Sequence, residues 1–126
     1  MFLVFDTETT GLPQNYRAPL TDFNNWPRMV QIAWQIHDVK GDLVEVKNYI
    51  VKPEGFSIPF NSEKIHGIST ELADKEGIPL LEGLDLFKEV VAKADFLVGH
   101  NVKFDVNVLG CEFFRSELPT DWTEQP

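Results

Sequence analysis

Apolar residues recur along this chain in two rhythms, and their succession outlines an α/β domain. Phe2-Leu3-Val4-Phe5 is an unbroken apolar run with a β-branched member, which predicts a short strand buried on both faces. Gly11, after two threonines, marks the turn that ends it. A period of two appears between Arg28 and Val39, where Val30, Ile32, Trp34 and Ile36 alternate with Gln31, Ala33, Gln35 and His37. Lys40-Gly41-Asp42 then signals a turn. Leu43 to Val51 alternates again, with Val44, Val46 and Ile50 on one face, so the two segments form an antiparallel hairpin. His37 reads as an exposed sheet residue without a role.

The second half changes period. Asn61 to Ser69 reads as a short capped helix stopped by Gly67, with Ser69 capping a second brief turn that ends at Gly77. Pro79 opens an amphipathic helix in which Leu80, Leu84, Phe87 and Val91 share a face, while Glu82, Asp85, Lys88, Glu89 and Lys93 take the other. Phe96-Leu97-Val98 is a buried strand reached through that helix, so a right-handed crossover sets it parallel to the first strand. Asn101 is a good N-cap, which starts the next helix near Val102 and puts Asp105 about one turn in. Between the first strand and the hairpin, Gln14 to Pro27 lacks any period and reads as a long surface loop, packed down by Trp26.

Composition narrows the choice of partners. The 126 residues, 43% hydrophobic, suffice for one core. A net charge of -9, with 11 Lys and Arg scattered along the chain, argues against broad neutralisation of duplex DNA; nucleic acid would be held locally. The single cysteine, Cys111, excludes an internal disulfide and fits a reducing cytoplasm. No apolar run approaches membrane-spanning length, and the N-terminus lacks a signal-peptide pattern.

Candidate chemistry collects at strand ends. Asp6 and Glu8 lie two apart, so they leave the strand on one side while Thr7 leaves on the other. Two carboxylates ~4 Å apart repel by about 4 kcal/mol at an effective dielectric of 20, which a cation between them would relieve. An isolated Asp-x-Glu serves equally as a solvated turn, and an acid in a helix's first turn is favoured by the dipole alone. The parallel arrangement of the two short strands nevertheless brings Asp105 toward Asp6 and Glu8. Neither G-x-G-x-x-G nor a P-loop occurs, which weakens an ordinary nucleotide-binding domain.

Asp6-Thr7-Glu8-Thr9-Thr10-Gly11, Ile65-His66-Gly67-Ile68 and His100-Asn101-Val102-Lys103-Phe104-Asp105 resemble, in order and spacing, motifs of the DEDD superfamily of 3′-to-5′ exonucleases. In particular they resemble the proofreading exonuclease of bacterial DNA polymerase III, including versions fused to a polymerase subunit. The resemblance implies a ribonuclease H-like α/β fold, with a mixed sheet whose first three strands are antiparallel and whose fourth is parallel to the first. It also implies metal-dependent hydrolysis of DNA phosphodiesters from a single-stranded 3′ end, with Mg2+ or Mn2+ as cofactor. Asp6 would bridge two ions, Glu8 would hold one of them and the terminal 3′-hydroxyl, and Asp105 would hold the other. Thr9, Thr10, Gly11, Leu12, His66, Asn101 and Phe104 would wall the terminal nucleotide. The implied partners are single-stranded DNA and a polymerase III subunit or fused polymerase, with no membrane.

The chain departs from the family at its end. The family's general-base histidine and fourth aspartate have no match, since the last histidine is His100 and Leu118 to Pro126 shows no helix or strand pattern. Residues 1–126 are therefore expected to be the N-terminal portion of one exonuclease domain, without its C-terminal strand and helices and with little activity. Two divalent ions ~4 Å apart repel by on the order of 16 kcal/mol at a dielectric of 20, so three acids are expected to hold one ion better than two. An incomplete sheet also invites self-association. The alternative is a non-catalytic module that binds nucleic acid or a polymerase on the same scaffold.

Overall fold

The alternating segments pair as their pattern predicts. In the computed structural model, which describes residues 1–126, β1 (Phe2–Thr9), β2 (Met29–His37) and β3 (Leu43–Ile50) are antiparallel neighbours, and β4 (Phe96–Val98) runs parallel to β1. The sheet order is β3-β2-β1-β4. This is a mixed α/β sheet with three antiparallel strands and one parallel strand. The helices are α1 (Phe60–His66), α2 (Thr70–Glu76), α3 (Leu80–Val91) and α4 (Val102–Arg115), followed by a 3-10 turn at Asp121–Glu124.

One face of the sheet carries the core. Leu3, Phe5, Ile32, Trp34 and Ile36 pack against Leu84, Phe87 and Val91 of α3 and Val108, Leu109 and Phe113 of α4. Phe87, fully buried, meets the rings of Phe5, Trp34, Phe113 and Trp122 at 5.2–6.4 Å, each edge-on. A smaller cluster of Val30, Ile58, Ile68 and Ala73 seats the short helices.

Three expectations are corrected. β1 and β4 are fully buried on one face only: Phe2 and Val4 are half-buried, Phe96 is 48% and Val98 40% exposed, because α3 and α4 cover a single side of the sheet. Val44 and Val46 of β3 also point away from the core, since Val46 pairs with outward-facing Gln35. It is Tyr49 and Glu45 that reach Trp34, by ring contact at 5.5 Å and by a hydrogen bond from the indole Nε1 at 3.0 Å. The tail, too short for periodicity, forms the 3-10 turn that buries Trp122 against Phe113. Beyond it, the Pro126 carbonyl accepts from Leu97 N at 2.6 Å on the outer edge of β4.

The helix ends follow local chemistry. Ser69 Oγ accepts from Leu72 N at 3.0 Å, and Gly67 ends α1 at φ 77°, a backbone region that suits a residue without Cβ. Asn101 precedes α4 as expected but does not cap it through its side chain. It sits in the left-handed region at φ 52°, which asparagine tolerates, and its carbonyl accepts from Phe104 N.

Candidate active site

β4 stops opposite Val4, so the second half of β1 has no strand beside it on that edge. The Thr7 amide opens into the gap and donates to Asp105 Oδ1 at 3.1 Å, and the Thr7 hydroxyl donates to the same oxygen at 2.6 Å. Asp105 thereby sits almost wholly buried in the first turn of α4. Asp6 and Glu8 leave the opposite face of the strand, Asp6 exposed and Glu8 half-buried. The three acids surround one strand end, with Thr7 between them.

Their charges are coupled. Burial pushes the Asp105 carboxyl up to about 6, the Thr7 hydroxyl opposes that rise, and the charges of Asp6 and Glu8 add to it. Glu8 is raised by burial first and by Asp6 second, while His66 acts in the lowering direction. Asp105 and Glu8 thus feel neighbouring charge, yet no three of the chain's acidic, histidine or cysteine side chains are gathered closely enough to enclose an ion. Asp105 Oδ1 is occupied by Thr7, and Oδ2 makes no hydrogen bond within the protein.

Beside the acids runs a groove of about 230 Å³ lined by Glu8, Thr9, Gly11, Leu12, His66 and Phe104. His66 Nδ1 accepts from Ile68 N at 3.1 Å, which places the proton of the neutral ring on Nε2. That Nε2 is buried without any partner, an unmet donor at the groove wall. Thr10 and Asn101 do not line this groove. Thr10 is a loop brace: its hydroxyl accepts from Arg28 N at 3.0 Å, and its carbonyl accepts from Ser62 Oγ at 2.6 Å. His100 borders a separate hollow of about 500 Å³, together with Asp6, Trp34 and Gly99.

Two supporting elements were missed in the sequence. Thr7 emerged only as the residue opposite the acids, and its role as the seat of Asp105 depends on where β4 stops. Glu112 is fully buried, where its carboxylate accepts from Arg28 Nε at 3.1 Å, Arg115 at 3.0 Å and Met29 N at 2.9 Å. Arg115 also holds the carbonyls of Phe23 and Trp26, so Glu112 ties the long loop and β2 to α4. A signal was present: Glu112 lies seven residues, two turns, after Asp105 on the inward stripe of the same helix.

Three acids at the mouth of a mixed sheet, next to a groove with an unmet donor, fit a phosphodiester-processing enzyme class. The exonuclease family model RNase_T matches residues 3–124, and the chain belongs to this family. It is 32% identical over 120 residues, 94% of its length, to a PolC-type DNA polymerase III of Streptococcus thermophilus (strain ATCC BAA-491 / LMD-9). The PolC-type enzyme of Mycoplasmopsis pulmonis is 28% identical over 117 residues. The chain spans 7% of the length of each of these relatives. E. coli exonuclease I in complex with a dT13 oligonucleotide superposes with a TM-score of 0.80 at 22% identity, over 98% of this chain and 26% of the other. Exonuclease I of Methylocaldum szegediense gives 0.80 at 21% identity, over 98% and 25%. These structural likenesses show the ribonuclease H-like fold.

Proposed function

We infer that these residues form the nucleotide-gripping part of a metal-dependent 3′-to-5′ DNA exonuclease of the proofreading type. The observation that carries the reading is that Asp6, Glu8 and Asp105 come to one strand end, where the charges of Asp6 and Glu8 raise the Asp105 carboxyl. Exonucleases of this family generally depend on divalent metal, and the donor set here, carboxylate oxygens only, fits Mg2+ or Mn2+. Asp6, Glu8 and the free Oδ2 of Asp105 are the donors that would hold such an ion. A divalent ion bound there supplies water activation and neutralises charge at the scissile phosphate. Glu8 also faces the groove, where it can accept from the terminal 3′-hydroxyl. His66 Nε2 donates to an acceptor of the terminal nucleotide, while Leu12 and Phe104 press on its apolar faces.

Three acids hold one ion more readily than two, and activity of the 126 residues by themselves is expected to be low. The PolC-type relatives support a polymerase III subunit or a fused polymerase as partner, and the proposed substrate is a single-stranded DNA 3′ end. The test is release of nucleotide from a 3′-labelled single strand with Mn2+, compared with Asp6→Ala. Slow release, abolished by the substitution, is the expected result. Equal release from both proteins would overturn the reading.

A second reading has one observation in its favour. Because no three potential ligands are gathered, the scaffold could serve as a non-catalytic nucleic-acid- or polymerase-binding module. It predicts oligonucleotide binding that is indifferent both to Mn2+ and to Asp6→Ala.

A further inference from the structure

β3 forms one edge of the sheet, with β2 on its inner flank. On the outer flank Ile78 reaches only its end, donating to Ile50 O at 2.8 Å, so Leu43 to Tyr49 is an uncovered edge. Val51 N donates inward to Val30 O at 2.8 Å, and by alternation Val46 and Asn48 turn their N–H and C=O groups outward. Backbone groups left open in a row are a template for another strand, and proteins guard such edges with charge, lysine above all. Lys47 stands here, exposed and outside every ion pair of the chain. Its guard is incomplete. Glu45 lies two residues away on the same face, where its Oε2 accepts from the Trp34 indole at 3.0 Å. Val44 and Val46 take the other face, with 58% and 55% of their surface exposed.

We propose that β3 pairs with the β3 of a second copy of this chain, antiparallel and centred on Val46. Under a two-fold axis through Val46, residues equally far from it on either side face each other. Glu45 of each copy then meets Lys47 of the other, Val46 meets Val46, and Val44 meets Asn48. Axes through Glu45 or Lys47 would instead set like charges opposite each other, which disfavours both registers. Registers that pair Val46 with an odd-numbered residue set outward amides against inward ones and form no ladder. Val46 is also the midpoint of the uncovered stretch, so this register uses all of the edge. The strand carries one acid and one base, which makes the join neutral although each chain has a net charge of -9. β3 runs parallel to β1, so in the joined sheet the β1 ends that carry Asp6 and Glu8 point in opposite directions. A contact along one strand is small, and the dimer is a weak one, with Kd on the order of 10–100 μM. The proposal goes beyond the inferred activity and does not depend on it.

Sedimentation equilibrium of the 126-residue chain, from about 5 to about 500 μM, reads the association directly. The wild type is expected to become a dimer within that range. Glu45→Lys and Lys47→Glu each set like charges opposite one another, and each should weaken the dimer about 10-fold or more. An equimolar mixture of these two variants should dimerise as tightly as the wild type, because each copy then carries the complement of the other. A purely structural effect of either substitution would not be repaired by mixing. Val46→Pro removes an outward N–H and none that β2 uses, and should abolish the dimer. Phe96→Lys, on the opposite edge strand, should leave it intact. A wild type that stays monomeric at every concentration overturns the proposal. So do single variants or a Val46→Pro protein that dimerise like the wild type, or a mixture that stays monomeric while the wild type pairs. Circular dichroism of the variants, matching the wild type, confirms that the comparisons are made on folded protein.

Discussion

Asp105 shows what burial does to a single acid. Its carboxyl titrates at about 6 in the fold, against about 3.9 in an unfolded chain, because desolvation outweighs the two hydrogen bonds from Thr7. Between those values the folded state keeps a proton that the unfolded state has lost. Stability from this group therefore falls as pH rises from about 4 to 6, then levels off. Asp105→Asn keeps an acceptor for Thr7 and removes the charge. Urea denaturation should show the variant gaining on the wild type between pH 4 and pH 8, by on the order of 2 kcal/mol. A constant difference across that range would contradict the assignment. Glu112 presents the opposite case, a buried carboxylate with full partners. Glu112→Ala strands Arg28 and Arg115, and should cost about 3–5 kcal/mol in the same assay, whereas a loss under 1 kcal/mol would show the clamp to be idle.

Elements meet at two kinds of glycine. Gly67 closes α1 at φ 77° with open space where a Cβ would go, so Gly67→Ala should cost about 1 kcal/mol through backbone strain alone. Gly77 follows α2 at an ordinary φ of -77°, but a Cβ there would lie 2.7 Å from Lys52 N and strike the Ala73 carbonyl. Gly77→Ala therefore forces α2 away from the end of β3. Its melting temperature should drop further than that of Gly67→Ala, and the reverse order would show that α2 yields freely. Element length also shapes the site. Had β4 run two residues further, it would have paired with β1 where Thr7 now receives Asp105.

For the molecule as a whole, the uneven covering of the sheet matters most. α3 and α4 bury one face, and the other leaves Phe96, Val98 and Val46 exposed, with the Phe2 and Phe96 rings stacked at 5.5 Å. Apolar surface of that kind promotes association between copies, while a net charge of -9 resists it. Sedimentation should accordingly show larger species at high protein concentration, more of them in 0.5 M salt, where the Debye length drops below about 8 Å. Phe96→Lys should remove the species that salt promotes, and a wild type without them in both salts would refute the expectation. No helix is long and apolar enough to cross a membrane.

Period and punctuation were enough to find the strands and the helices, since alternation and 3.6-residue spacing are local consequences of which face must be dry. The D-x-E and H-N-x-x-F-D segments stood out as residue types at fixed spacing, and the fold brings their acids to one strand end. Depth was not legible. Whether Val46 faces the core or the solvent depends on pairing register, and Val46 came to lie opposite Gln35 instead of over the helices. The seat of Asp105 on Thr7, the clamp around Glu112 and the approach of Tyr16 to Phe104 join residues 84 to 98 positions apart. Contacts at that separation leave no periodic trace in the chain, and only the packed sheet and helix bring them together.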